Sequence, residues 1–239
     1  MSFGSDVRMA WLGHGSFELE LPGGQIVLLD PWLADNPSCP EQRHDPPRVD
    51  AILVTHGHFD HIADVPRLAQ RHRARVVCCF EIGHWLERKG VARDSIVGMN
   101  LGGRVDVLPG LAATMVRADH SCGILDDDGT IVYGGTAAGF VLHARGAPTI
   151  YFAGDTALFG DLALYGELYR PGVAILPIGD HFTMGPADAA RAARMLGVRT
   201  VVPCHYGTFP LLTGTPAALR EALGGDADVA AVEPGQDVP

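Results

Sequence analysis

Apolar residues in the opening third of the chain alternate with polar ones or form short unbroken runs, and this pattern predicts β-strands. Residues 8–13 and 16–21 lead into a Pro-Gly-Gly turn, after which residues 25–30 form a third apolar stretch. Short strands separated by a tight turn are typical of an antiparallel meander. The sequence therefore predicts three antiparallel strands at the start of the chain.

Strands and helices alternate in the next part of the chain. An apolar run over 51–55 is followed by a helical pattern over 62–72, and a second run over 75–80 precedes a short helix over 82–89. Elements that alternate in this way are typical of α/β units, in which helices cover a sheet. The first half thus predicts a mixed sheet with helices on its outer face.

The second half of the chain repeats this plan. Its pattern predicts strands over 112–118, 130–135, 138–144, 149–154, 173–178 and 200–204, and helices over 157–169, 186–196 and 216–223. No linker or change of composition separates the halves. We therefore predict one domain over 1–239 with an α/β (α+β) fold, a four-layer αββα sandwich of two pseudo-equivalent halves.

Charge and hydropathy narrow the class of partner. The 239 residues include 18 Lys and Arg against 28 Asp and Glu, a formal net charge of −10, so the field of the molecule repels polyanions. No run approaches the roughly 18 apolar residues of a membrane span, and Asp6 and Arg8 interrupt any export signal at the start. We expect a small-molecule substrate and no nucleic acid or membrane partner, while a homo-oligomer stays open.

The cysteines bear on the cellular compartment. There are five, an odd number, and none is spaced as CxxC. This usage is typical of reduced thiols rather than of a disulfide framework. We therefore expect a cytoplasmic protein.

A cluster of histidines follows directly on the apolar run over 51–55. His56 and His58 lie two residues apart on an extended segment, so they can share one metal ion, while Asp60 and His61 enter the next turn and can serve a second. The alternative is a solvated loop that happens to be rich in histidine, but this spacing after a buried strand is rare by chance. The cluster therefore predicts a pair of metal ions.

The HxHxDH spacing resembles the first metal motif of the metallo-β-lactamase superfamily, and segments that resemble its other motifs follow in order. They are Ala-Asp-His-Ser over 118–121, Gly-Asp-Thr over 154–156 and Pro-Cys-His-Tyr-Gly over 203–207. The resemblance implies the αββα fold and one metal held by His56, His58 and His120. It also implies a second metal held by Asp60, His61 and His205, with Asp155 between the two.

Three further segments, 12–17, 29–32 and 177–186, look like the metal-dependent hydrolases related to ascorbate-6-phosphate lactonases. Asp155 stands where dizinc β-lactamases use Cys, and His58 stands where the diiron flavoproteins of this fold use Glu. These two departures weaken the prediction of β-lactam hydrolysis and of diiron redox chemistry. Substrate identity is expected to depend on the loops over 31–48, 80–100 and 179–185.

The chemistry follows from two divalent ions a few Å apart, which lower the pKa of a shared water and polarise the bond under attack. The sequence predicts a hydrolase in which this water, once it has lost a proton, attacks as hydroxide on a small ester, lactone, thioester or phosphodiester. Asp60 is expected to position the hydroxide and take its proton. His181 and His14 are candidates for donating a hydrogen bond to the oxyanion or a proton to the leaving group. The alternative is that they are surface or core imidazoles without a catalytic role. Asp30 is a candidate for orienting a ligand histidine, and the alternative is that it caps a turn.

Two other functions stay open at this point. One is a mononuclear iron dioxygenase on the same fold, which would leave part of the second site unused. The other is a metal-bound binding protein without turnover. Histidine and carboxylate ligands suit several metals, so zinc is the first expectation for the two ions, with manganese or iron as alternatives.

Overall fold

The first sheet is built from the N-terminal half of the chain. A computed structural model describes residues 7–239, and Asp6 lies outside them. The sheet contains, in chain order, β1 (Arg8–Gly13), β2 (Ser16–Glu20), β3 (Ile26–Leu29), β4 (Ala51–Leu53), β5 (Arg75–Cys79) and β6 (Ile96–Met99). The first three strands are antiparallel, as predicted, and β3 to β6 are parallel.

The other nine strands form a second large sheet and a small one. They are β7 (Arg104–Leu108), β8 (Leu111–Arg117), β9 (Gly123–Leu125), β10 (Ile131–Tyr133), β11 (Ala138–Ala144), β12 (Ile150–Phe152), β13 (Val173–Pro177), β14 (Thr200–Cys204) and β15 (Asp228–Val229). The large sheet has the order β15-β14-β13-β12-β11-β8-β7, and β9 pairs only with β10. It too is antiparallel from β7 to β12 and parallel from β12 to β15, so the two halves are equivalent in plan.

Helices cover the outer faces of both sheets. They are α1 (Phe59–Ile62), α2 (Val65–His72), α3 (Phe80–Arg88), α4 (Asp161–Tyr169), α5 (Pro186–Leu196) and α6 (Pro216–Leu223), and 3₁₀ turns lie at Glu41–Arg43 and Arg93–Ser95. In the described chain, no helix is both long and apolar enough to span a bilayer.

Three apolar clusters define four layers. Side chains alternate along each strand, so one face of both sheets packs inward, where Phe17 of β2 meets Phe152 of β12. The opposite face of the first sheet packs against α2 and α3 through residues such as Leu68 and Leu86. The opposite face of the second sheet packs against α5 and α6. The predicted αββα sandwich is confirmed.

Two helices are shorter than predicted, for local reasons. The helix expected over 62–72 is split into α1 and α2, because Pro66 cannot donate a helical hydrogen bond and favours a new first turn. The helix expected over 157–169 begins only at Asp161, with Gly160 as its N-cap, and the backbone N–H of Ala157 ahead of it donates to the carbonyl of Asp119. This contact joins the loop after β12 to the loop after β8.

The strand expected over 130–135 does not belong to the large sheet. Ile131–Tyr133 pairs with Gly123–Leu125 in a separate hairpin, closed by a turn in which Asp126 N donates to the Thr130 carbonyl. Ile131 and Tyr133 are largely exposed, and Val132 between them packs against the apolar cluster that also contains Ile124. Its periodicity predicted a strand correctly but could not show which sheet the strand joins.

Candidate metal centre

The predicted ligands follow strands at one edge of the two sheets. The HxHxDH segment comes after β4, His120 after β8, Asp155 after β12 and His205 after β14. The structure brings all seven predicted ligands together, as two groups of three with one carboxylate between them: His56, His58, Asp60, His61, His120, Asp155 and His205. His56 and His205 are 149 positions apart in the chain, and the Nε2 atoms of both lie within 3.9 Å of Asp155 Oδ2.

The first group consists of three imidazoles that point at one another. His58 Nδ1 lies 3.1 Å from His56 Nε2 and 3.3 Å from His120 Nε2. Nitrogens bound to one tetrahedral zinc at 2.0–2.1 Å are separated by about 3.4 Å. The three nitrogens therefore have the spacing of donors that share a single ion.

The second group contains Asp60, His61 and His205. The Nε2 atoms of His61 and His205 are buried without a hydrogen-bond partner, and they lie 4.0 Å and 3.6 Å from Asp60 Oδ2. A buried polar nitrogen without a partner is costly in a folded protein. A divalent cation bound between these three side chains would satisfy both nitrogens, so the donor set fits a metal ion.

Asp155 lies between the two groups. Its Oδ2 atom is 3.0 Å from His205 Nε2 and 3.3 Å from His61 Nε2. The same atom is 3.7 Å from His120 Nε2 and 3.9 Å from His56 Nε2. A single carboxylate oxygen is therefore within reach of both groups, which is the position of a bridging ligand.

A carboxylate beneath the centre orients two of the imidazoles. Asp30 Oδ2 accepts from His61 Nδ1 at 2.8 Å and from the Thr55 hydroxyl, and Thr55 Oγ1 lies 3.0 Å from His56 Nδ1. With both Nδ1 atoms engaged, the Nε2 atoms of His56 and His61 are left facing the centre. Hydrogen bonds of this kind fix the tautomer and direction of metal ligands. Asp30 thus occupies the orienting position considered from the sequence.

Ser121 makes the corresponding contact to His58. Its Oγ lies 3.2 Å from His58 Nε2, so the Nδ1 atom of His58 is the one left to face His56 and His120. Neither Thr55 nor Ser121 was predicted from the sequence to take part in the site. Both are hydroxyl residues directly adjacent in the chain to a predicted ligand, and that adjacency is the signal that could have identified them.

His14 lies directly behind Asp60. Its side chain is fully buried, and Nε2 donates to Asp60 Oδ2 at 2.9 Å. Burial lowers the pKa of His14 to about 4, against the opposing effect of the Asp60 hydrogen bond. The imidazole is therefore neutral near pH 7 and can hold the Asp60 carboxylate in place. Its role as an acid or an oxyanion donor stays a prediction.

His181 lies outside this cluster. It is exposed, and its ring packs edge-on against the ring of Phe182, with centroids 4.5 Å apart. Phe182 lines the cavity beside the metal centre, whereas His181 does not. The predicted catalytic role of His181 stays a prediction, at a position next to the cavity rather than within it.

The electrostatics of the centre favour positive charge. Burial alone would raise the pKa of Asp60, but the charge of His61 and the hydrogen bond from His14 outweigh it and lower that pKa. The pKa of Asp155 is lowered in the same way by His205 and His61. Two ionised carboxylates in a buried site of imidazoles form a donor set suited to divalent cations.

Three residues at this centre have a strained backbone. His14, Asp30 and His205 have φ angles of 53°, 45° and 54°, in the left-handed region that residues with side chains rarely adopt. Such strain persists where the surrounding structure enforces it, and it clusters at functional sites. Here it allows each side chain to turn toward the centre directly after its strand.

A cavity of about 710 Å³ opens beside both ligand groups. Of the loops expected to determine substrate identity, only that over 179–185 reaches it, through Phe182. The loop over 31–48 instead lies behind the cavity wall, where Trp32 packs against Phe59 and Phe209, and residues 80–88 form α3 on the outer face of the first sheet. The apolar lining consists of Phe59, Leu125, Phe182, Phe209, Pro210 and Leu211.

Comparison with known proteins identifies the family. Residues 25–206 match the family described as a beta-lactamase superfamily domain. A UPF0173 metal-dependent hydrolase from Solibacter usitatus is 50% identical over 97% of this chain and 99% of its own length. A protein of the same name from Roseiflexus castenholzii is 47% identical over 99% of both chains.

A solved structure agrees with this assignment. Igni18, a metallo hydrolase from the archaeon Ignicoccus hospitalis, superposes with a TM-score of 0.85 at 34% identity and covers 98% of both chains. The similarity thus extends over the whole fold and includes every strand that leads to a predicted ligand. The chain therefore belongs to the metallo-β-lactamase superfamily, among its UPF0173 metal-dependent hydrolases.

Proposed function

We propose that this metal-dependent hydrolase uses two divalent metal ions and hydrolyses a small ester, lactone, thioester or phosphodiester. The observation that carries the proposal is the position of Asp155 Oδ2, within 3.0–3.9 Å of imidazole nitrogens from both ligand groups. A single ion would have no need of a carboxylate shared in this way. His56, His58 and His120 would hold one ion, and Asp60, His61 and His205 the other.

The bound ions would lower the pKa of a water molecule and polarise the oxygen of the bond under attack. Ligand type alone admits several metals. We propose zinc first, with manganese or iron as alternatives.

Asp60 has the position of a general base. Its side chain is only 12% exposed, yet it lines the cavity, and His14 fixes Oδ2 from the buried side. A carboxylate held in this way can orient the attacking water and accept its proton. We assign to His14 the positioning of Asp60, and to His181 the donation of a proton or hydrogen bond to the departing part of the substrate.

The proposed substrate is a small molecule. The net charge of −10 disfavours a polyanion. The cavity has a volume within the range of small-molecule sites, which is about 300–1,000 Å³.

The experiment that tests the proposal combines metal analysis with an activity panel. Protein purified without chelators is expected to contain about two metal ions per chain, and reconstitution with Zn, Mn or Fe should restore hydrolysis of at least one ester, lactone, thioester or phosphodiester. Full hydrolysis with one ion per chain would contradict the binuclear arrangement. A metal-loaded protein that hydrolyses no member of the panel would contradict the proposed reaction.

A further inference from the structure

The cavity beside the metal centre has an apolar wall contributed by separate segments. Phe59 begins α1, Leu125 ends β9, Phe182 follows β13, and Leu211 precedes α6. These side chains are 53%, 60%, 50% and 53% exposed. Large apolar side chains are expected to avoid water, and a contiguous group of them marks a binding surface. Four segments of the fold thus present apolar surface to the same space.

The charged groups of the cavity all belong to the proposed metal centre. Among the described residues that line it, none is Lys or Arg, and the carboxylates are Asp60 and Asp155. Sites that recognise phosphate use Arg or Lys side chains in most cases, because their N–H donors match its charge and geometry. Here an additional anionic group would meet apolar side chains without a cation to pair with.

We infer that the substrate carries an apolar group and, apart from the bond that is hydrolysed, no phosphate or other anionic group. The inference rests on the proposed function and narrows it, since it removes phosphorylated lactones and other substrates with a phosphate away from the scissile bond. The scissile bond would lie at the centre, and the apolar group would pack against Leu125, Phe182 and Leu211.

The inference predicts how rate depends on chain length. Each methylene that moves from water to an apolar wall raises kcat/KM roughly twofold when it is partly buried and roughly fourfold when it is fully buried. In the metal-loaded enzyme, kcat/KM should rise at least about tenfold from p-nitrophenyl acetate to p-nitrophenyl hexanoate. A hexanoate ester with a phosphate on its alcohol portion should be hydrolysed more slowly than its unphosphorylated counterpart.

Matched variants test whether the apolar wall causes this dependence. Leu125→Ser removes an apolar side chain from the cavity, and Leu168→Ser removes one of similar exposure, 62%, from α4, which does not line the cavity. Leu125→Ser should flatten the increase with chain length, so that kcat/KM for the hexanoate ester falls relative to that for the acetate ester. Leu168→Ser should retain the full increase.

A binding measurement does not depend on turnover. Alkyl hydroxamic acids can be titrated calorimetrically into the metal-loaded protein, and octanohydroxamic acid should bind at least about tenfold more tightly than acetohydroxamic acid. Binding that strengthens with chain length, in a protein that hydrolyses no ester, lactone, thioester or phosphodiester, would contradict the proposed reaction while supporting the apolar preference. Ester hydrolysis that is independent of chain length, or faster with the phosphorylated ester, would overturn the inference while leaving the proposed reaction intact.

Discussion

Individual side chains at the centre are oriented by partners that lie far from them in the sequence. Thr55 N donates to Asp30 Oδ1 at 2.7 Å, and Asp30 Oδ2 accepts from Thr55 and His61. One buried carboxylate therefore controls the direction of the strand end and of two imidazoles, those of His56 and His61. The HxHxDH spacing is visible in the sequence because its members are neighbours. Asp30 was a candidate for orienting a ligand histidine, but its particular partners are not visible in the sequence, since these contacts depend on β3 and β4 being adjacent in the sheet.

Removal of the Thr55 hydroxyl should weaken metal binding. In Thr55→Val the shape is nearly unchanged, but His56 Nδ1 loses its partner and the imidazole is free to rotate. Loss of an orienting partner is expected to lower metal affinity roughly 10- to 100-fold. Competition with a chromogenic chelator measures this affinity. Thr114→Val, at a buried position of β8, is the control and should bind metal as the wild type does.

Replacement of Asp60 should separate metal content from turnover. Asp60→Asn keeps the size and shape of the side chain but removes its negative charge. The variant should therefore retain most of its metal and lose roughly 10²-fold or more in kcat. Elemental analysis and steady-state rates are measured on the same preparation. Asp119→Asn, next to His120 but exposed and beside Arg117, is the control. Wild-type rates in Asp60→Asn would exclude Asp60 as the base.

At the level of elements, close backbone packing decides where the ligands are placed. Gly154 follows β12 with φ of +60°, and a Cβ atom there would lie 2.8 Å from Thr55 Cβ and 2.9 Å from the Ala138 carbonyl. The loop that carries Asp155 can therefore approach the end of β4 only because residue 154 has no side chain.

Gly154→Ala should destabilise the protein and also weaken metal binding. The left-handed backbone alone costs about 1–2 kcal/mol for Ala, and the contact with Thr55 adds about 1–3 kcal/mol of overpacking. Gly197→Ala is the matched control, because Gly197 has φ of +67° but open space around it. Denaturant unfolding and metal titration should show a loss of stability in both variants. A loss of metal affinity in Gly197→Ala, or none in Gly154→Ala, would contradict this explanation.

The elements that the sequence predicted well have strong local signals. Helix α5 was predicted with its observed bounds, because Pro186 begins it and Gly197 ends it. Strands β11 and β14 were predicted in the same way from apolar runs. Strands β6, β7, β9 and β15 were not predicted, since they are short and partly exposed. Their formation depends on pairing with neighbours that periodicity does not reveal.

At the level of the whole molecule, each ligand group draws on both halves. His56 and His58 come from the first half and meet His120 from the second, while Asp60 and His61 meet His205. The backbone N–H of His205 donates to the His14 carbonyl at 2.9 Å and so joins the halves directly behind the centre. This convergence was predictable from the resemblance, because each motif follows a predicted strand. The hydrogen bond between the halves was not predictable from the sequence.

Metal binding should therefore stabilise the fold as a whole. Binding to the folded state alone contributes about 2.7 kcal/mol at a metal concentration 100 times Kd, and each kcal/mol shifts the Tm of a chain of this size by about 2–4 °C. Verified removal of metal by a chelator should lower the Tm by about 5–10 °C for each ion removed, and added metal should restore it. Calorimetry in matched buffers measures the shift. An unchanged Tm would show that the ligands do not link metal binding to folding.

The contribution of the second half can be measured on its own with His205. In the proposed arrangement, His205→Ala removes a donor of the second group and leaves His56, His58 and His120 untouched. The variant should stay folded and contain about one metal ion per chain. Hydrolysis should fall by at least about 10²-fold, because the remaining ion can still acidify a water but cannot act together with a second ion on the bond under attack.

The same variant separates the binuclear hydrolase from a mononuclear iron dioxygenase. A dioxygenase would depend on a single iron and would keep its oxygen consumption after His205→Ala. Metal stoichiometry, hydrolysis and oxygen consumption are therefore measured together on the wild type and the variant, with His44→Ala as the control, since the part-buried His44 contacts the Cys39 carbonyl away from the centre. Near-normal hydrolysis with one ion per chain would contradict the binuclear mechanism, because it would show that His205 and the ion it is proposed to hold are not needed for the reaction.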